Sequence, residues 1–142
     1  MNPGCVISLG LLTLALAGGC GRHPSPPPAD QAAVECAKTW LVFVDDGDYS
    51  RSWEEAAALA RAAVNRPAWE TGIRFARAPL GKVVSRTLKS AQATNSLPGA
   101  PDGSYVVIQF TTVFEHKAGA VETVTPVLEK DGKWRVSGYY IR

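Results

Sequence analysis

The chain has 142 residues, 15 Lys and Arg against 13 Asp and Glu, and a net charge of +2, which leaves room for one ordinary domain and argues against nucleic acid as a partner. It has three cysteines. Two of them, Cys5 and Cys20, fall in the N-terminal segment read next, so Cys36 is left without an intramolecular disulfide partner.

The first feature is the apolar run Val6 to Gly19. It is shorter than the roughly 20 residues needed to cross a bilayer, and it has the length of a signal h-region. It closes on Leu14-Ala15-Leu16-Ala17-Gly18-Gly19-Cys20, which resembles the lipobox of a bacterial lipoprotein. Residues 1–19 contain no Lys or Arg, so the usual positive n-region is missing, as a misplaced start codon would explain. The resemblance implies cleavage before Cys20 and a lipid (diacylglycerol on the thiol, an acyl chain such as palmitate on the amine). Chains in that number anchor stably, whereas one alone binds marginally. Gly21, standing where an Asp would retain such a protein at the inner membrane, implies sorting to the periplasmic face of the outer membrane. The expected organisation is therefore a signal peptide over 1–19, a lipidated Cys20 with a proline-rich tether over 20–29, and a single domain over 30–142. In polyproline II form the tether would hold the domain roughly 28 Å from the membrane.

Three helices are expected next. Ala33, Cys36, Ala37, Trp40, Leu41 and Val44 recur at three- and four-residue spacing and give the first helix one apolar face. Asp45-Asp46-Gly47-Asp48 stops it. A second helix, capped by Asp48 or Ser50, runs through Trp53 and Ala56-Ala57. A third starts near Pro67 and ends at Arg77-Ala78-Pro79. From Gly81 onward the period becomes two, with strands at Lys82–Ala93, Tyr105–His116, Ala120–Lys130 and Trp134–Ile141. Asp131-Gly132 marks a tight hairpin, and Pro126 marks a bulge or bend.

The fold class is thus α+β, with three N-terminal helices packed on a curled four-stranded antiparallel sheet. The opening helix, the Asp46–Tyr49 turn and the Trp53 helix resemble the start of nuclear transport factor 2-like cone domains. More narrowly, Arg77–Arg86, Ser96–Gly103 and Trp134–Tyr140 are similar to segments of the domain-of-unknown-function family 4019. That resemblance supports the fold and carries no assigned activity.

Alternation puts Val106, Ile108, Phe110, Thr112 and Phe114 inside the cone, with Val124, Pro126 and Leu128, and with Trp134, Val136, Gly138 and Tyr140. The candidate pocket lining is therefore Trp40, Trp53, Phe110, Phe114, Trp134 and Tyr140. The opposite face is rich in Val, Thr and Tyr, and Val107, Gln109, Thr123, Tyr139 and Ile141 form a candidate homodimer face.

Charge is uneven: residues 30–55 hold seven acids and two bases, and residues 61–89 seven bases and one acid. Arg66, Arg74 and Arg77, with Glu70 between them, form a candidate basic stripe on one helical face. No nucleophile elbow, phosphate loop or zinc-binding His motif is present. The inward positions named above hold no Asp, Glu or His, His116 falls at a hairpin, and Cys36 with His116 gives a metal nothing to build on. The expectation is a lipid-anchored, non-catalytic envelope domain, with no metal and no cofactor, that binds an envelope protein or a small apolar ligand. Two alternatives stand beside it: an isomerase- or dehydratase-like enzyme with its pocket in the cone, and a purely structural sheet-face dimer.

Overall fold

A computed structural model describes residues 28–142, so the expected signal peptide, lipidated Cys20 and most of the tether lie outside the described residues. Helix α1 (Pro28–Asp45) begins two residues before the expected domain boundary. It buries Ala33, Val34, Ala37, Trp40, Leu41 and Val44 on one stripe. It ends in a Schellman turn: Gly47 (φ 75°) donates to the Val44 carbonyl at 3.2 Å and Asp48 to the Phe43 carbonyl at 2.8 Å.

Asp48 then caps α2 (Tyr49–Glu54) by accepting a hydrogen bond from the Arg51 N–H at 3.1 Å. The expected second helix does not continue through Ala57. There the backbone is extended (φ −59°, ψ 148°), and a separate helix α3 runs over Ala58–Ala63. The break has a packing cause. The Ala57 N–H donates to the Val136 carbonyl at 2.8 Å, and Ala56 and Ala57 are both fully buried. Docking there replaces the helical hydrogen bond that Ala57 would have made.

Helix α4 (Arg66–Arg77) is capped by Asn65, whose side chain accepts from the Ala68 N–H at 3.0 Å, and it runs into a 3₁₀ turn at Ala78–Leu80. There are thus four α-helices among the described residues rather than the three expected.

Strands β1 (Val83–Thr94), β2 (Tyr105–Phe114), β3 (Lys117–Leu128) and β4 (Trp134–Ile141) form one antiparallel sheet in the order β1-β2-β3-β4. Helix α1 packs against all four strands. β2 stops at Phe114, short of the expected His116, and β3 spans Lys117–Leu128 rather than Ala120–Lys130. Edge strand β1 carries extra residues at Val84 and Lys89, and such bulges and lysines discourage pairing with a second sheet.

The irregularity expected at Pro126 lies opposite it. Thr125 pairs with Gly138 and Pro126 with Val136, so Ser137 is the extra residue, on β4. Val136 faces the core, and beyond the bulge the alternation of β4 is inverted. Tyr139, expected on the outer face, turns inward, whereas Tyr140, expected inside, is 54% exposed. Leu128, also expected inside, lies at the strand end and is 39% exposed.

The main core joins the α1 stripe and Ile73 to Val106, Ile108, Phe110, Val124 and Val136. A second cluster joins Ala57, Tyr105 and Val127, with Leu59, Leu97 and Ala100 packed on it. Both clusters draw on the helices and the sheet together.

Candidate functional site

Two places stand out: a buried cluster of charges under the helices, and an open groove beside β4. The cluster is centred on Glu122, which is fully buried. In the register of β3 it follows Val124 inward, across from Phe110. Its Oε1 accepts from the Tyr139 hydroxyl at 2.7 Å and from Arg86 Nη2 at 3.1 Å. Its Oε2 accepts from Arg86 Nε and from Thr112 Oγ1, both at 2.6 Å. Arg86 also makes a two-pronged contact to Asp45, at 2.7 and 2.9 Å.

Arg77, 6% exposed, completes the cluster: Nη2 lies 2.9 Å from Asp45 Oδ1 and Nη1 3.8 Å from Glu122 Oε1. Its guanidinium also sits over the Phe114 ring, 5.0 Å from the centroid. Two guanidinium groups face two carboxylates, so the cluster is neutral overall and does not attract an anion.

Burial alone would lower the Arg86 guanidinium pKa, but hydrogen bonds and charge from Asp45 and Glu122 outweigh it and raise the value. Arg77 is raised in the same way, through Tyr139 and Asp45. Burial first, and then the Glu122 charge, push the Tyr139 phenol well above its usual range. The cluster joins the C-terminal ends of α1 and α4 to all four strands.

The groove, of about 640 Å³, is lined by Cys36, Trp40 and Phe43 of α1, by Arg51 of α2 with Glu55 beside it, and by Lys133, Trp134 and Arg135 around the start of β4. Volumes of this order suit a small molecule. Trp40 is locked beneath: its Nε1 donates to the Ser52 carbonyl at 2.8 Å, and its ring meets Trp69 and Tyr139 edge-on. Trp134 is half-buried, and its indole N–H has no hydrogen-bond partner among the described residues. The Cys36 thiol donates to the Trp134 carbonyl at 3.2 Å, and burial pushes its pKa up to about 11 against the pull of Arg135. A raised pKa keeps that thiol largely protonated, which disfavours the nucleophilic thiolate.

A smaller crevice of about 290 Å³ lies between α3, the 97–100 loop and Tyr105, Gly138 and Tyr140. A slot of about 210 Å³ runs beside Trp69, Ile73 and Tyr139. Glu122 lines none of these three openings.

The sequence-predicted lining residues separate. Trp40 and Trp134 line the groove. Phe110 and Phe114 are buried in the interior and line none of these three openings. Trp53 is turned away, with its Nε1 donating to the Val64 carbonyl at 2.8 Å and Arg66 over its ring at 5.8 Å. Tyr140 lines the crevice instead.

The basic stripe does not form as one surface. Arg77 is buried in the cluster, and Arg66 is held by Ser50, Glu54 and Glu70. Arg74 alone of the three is exposed, with its guanidinium 5.7 Å from the Tyr49 ring centroid.

On the candidate dimer face, Val107, Gln109 and Ile141 are half-buried and Thr123 is buried, while Tyr139 belongs to the interior. Part of that face, at Tyr105 and Val127, is covered by the chain's own Leu59, Leu97 and Ala100.

The sequence reading missed Glu122, Arg86, Asp45 and Thr112 as one unit. The signal for Glu122 was available, because two residues back from Val124 on a strand is the same face. Among the described residues no group of three or more His, Cys, Asp or Glu side chains could hold a metal ion, and no helix is long and apolar enough to cross a membrane.

Residues 36–139 match the family described as "Protein of unknown function (DUF4019)", and the chain belongs to that family. No curated protein matches it.

Proposed function

We propose that this chain is a lipid-anchored, non-catalytic accessory domain of the cell envelope, built as a nuclear transport factor 2-like cone, that binds a small apolar molecule. The ligand sits in the groove between α1, α2 and the start of β4. The groove itself is the observation that carries this reading. It has the volume of a small-molecule site and an aromatic floor of Trp40, Phe43 and Trp134, and the Trp134 indole donor there has no partner among the described residues.

The saturation of Glu122 argues against catalysis in the cone. A general base needs a lone pair directed at substrate. Both Glu122 oxygens are already occupied by Arg86, Thr112 and Tyr139, and two guanidinium groups hold the charge. The lipobox-like run ending at Cys20 supports the anchor, and Gly21 supports the periplasmic face of the outer membrane.

Native mass spectrometry tests the binding reading, on the Gly21–Arg142 fragment purified from a periplasm and compared with the same sample denatured. The expected result is an extra mass that disappears on denaturation and that Trp134→Ala abolishes. A protein mass equal to the bare chain under both conditions would overturn the reading.

A further inference from the structure

We propose that the crevice between α3, the 97–100 loop and β4 is a second binding site, separate from the groove, and that it takes an uncharged ligand: a small ring bearing a hydroxyl or carbonyl group. Gly138 carries the inference furthest. It lies inside β4, paired with Thr125, and its φ is ordinary, so the backbone there does not require glycine. Packing does not require it either, because a Cβ built on it would meet nothing within 4 Å. The extra residue of the adjacent bulge is Ser137, not Gly138. A glycine inside a strand weakens it, and one recurring reason to find one there is the close approach of a ligand.

The lining sets the chemistry. It holds no Asp, Glu, Lys, Arg or His side chain, so an ion entering the crevice would lose water and find no opposite charge. Leu59, Ala63, Leu97 and Pro98 supply apolar walls, and Tyr140 supplies an aromatic ring that is 54% exposed. Two of the three phenols are committed: Tyr105 donates to the Pro101 carbonyl and Tyr139 to Glu122, each at 2.7 Å. The hydroxyls of Thr125 and Tyr140 have no partner among the described residues, and each can both donate and accept. A ring laid against Tyr140, with its polar group toward Thr125, would use both. The volume of about 290 Å³ is at the small end for such sites and suits a compact ligand.

Three soluble probes share one ring system and differ in charge: neutral 2-naphthylmethanol, anionic 2-naphthoate and cationic 2-naphthylmethylamine. Each is titrated into the ¹⁵N-labelled Gly21–Arg142 fragment. The Gly99 and Gly138 amide resonances report the crevice, and the Trp134 indole N–H reports the groove. The expected result is that the alcohol moves both glycine amides saturably and binds there about tenfold tighter than either ion. Gly138→Leu, whose side chain would fill the crevice, should abolish the Gly99 shift and leave any Trp134 response unchanged. Tyr140→Ala, at an exposed position, should weaken the alcohol about tenfold without unfolding the fragment. Equal or tighter binding of an ion at the glycine amides overturns the uncharged-ligand inference. A Gly99 response that survives both variants, or no response of the glycine amides at millimolar concentration, overturns the site itself. The groove reading stands or falls separately, on Trp134.

Discussion

Glu122→Gln perturbs the buried cluster with the least change of shape. The amide keeps one carbonyl oxygen and replaces the other with an NH₂ group. Glu122 accepts four hydrogen bonds, two from Arg86 and one each from Thr112 and Tyr139. Whichever way the amide is turned, its nitrogen faces an Arg86 donor together with a hydroxyl. The hydroxyl can rotate to accept, but the guanidinium cannot. Two buried or half-buried guanidinium groups would then share Asp45 alone.

Removing one partner of a buried pair costs about 3–5 kcal/mol. The side chains of Arg86 and Asp45 are 16% and 26% exposed. That partial exposure lowers the expectation to about 3 kcal/mol, a large part of the roughly 5–15 kcal/mol typical of a domain. At about 4 °C per kcal/mol, Tm should fall by about 12 °C. Urea denaturation followed by circular dichroism on the Gly21–Arg142 fragment measures the loss directly. The reverse truncation, Arg86→Gln, should be comparably damaging. The double variant should lose about 2 kcal/mol less than the sum of the single losses. A loss below about 1 kcal/mol for Glu122→Gln, with no coupling to Arg86, would refute the idea that these charges act as one unit.

The alkaline limb of stability should carry Tyr139's signature. Its pKa is raised in the folded chain, so its contribution is fully present below the unfolded value near 10 and is lost as pH rises toward the folded one. Between about pH 10 and 12 that amounts to roughly 1.4 kcal/mol per pH unit, and Tyr139→Phe should remove that slope in chemical denaturation; an unchanged slope defeats the assignment. Cys36, raised from 9.0 to about 11, should react with iodoacetamide at pH 8 about 100-fold more slowly than in the urea-unfolded fragment. Comparable rates would show a thiol open to solvent. Three glycine-to-alanine variants should rank by space and backbone. Gly138→Ala, with nothing within 4 Å and an ordinary φ, should be neutral within about 0.5 kcal/mol. Gly47→Ala, at φ +75°, should cost about 1 kcal/mol in thermal unfolding. Gly81→Ala should cost more, because it adds a 2.9 Å approach to Glu115 Cβ at φ +73°. Any other order would be evidence against the backbone geometry at these turns.

Much of this fold was legible from two periods. Three- to four-residue spacing gave the apolar stripe of α1, and strict alternation gave the inward face of β2 from Val106 to Phe114. Both hold because neither run takes up an inserted residue of its own; the register shift between Thr112 and Phe114 places its extra residue on β3. The second helix failed for a reason the local pattern does not contain. Ala56 and Ala57 are good helix residues, yet Ala57 spends its N–H on the Val136 carbonyl, nearly 80 residues away. Tertiary hydrogen bonding overrode propensity there.

The candidate site turned on one residue. Tyr139 and Tyr140 are neighbours, and a bulge at Ser137 decides which of them meets Glu122. Pro126 announced an irregularity, but it could not say which strand of the pair would take up the extra residue. That choice inverts every side chain downstream on β4 and leaves β3 untouched. Arg77 poses the same problem on a helix. It lies four residues beyond Ile73, in line with Trp69, and three beyond Arg74, so spacing admits it to the core face and to the charged face alike. What selects the core face is the presence of Glu122 and Asp45 to receive it, contributed by segments far apart in sequence. A buried charge is tolerated only with its partners in place. Its position is therefore a property of the assembled sheet and helices, and single-element patterns understate it wherever partners are distant. The groove is the converse case: Trp40 and Trp134 are legible in the sequence as apolar residues, whereas Cys36, Phe43 and Arg51 join them in one lining only once α1, α2 and the start of β4 have packed together.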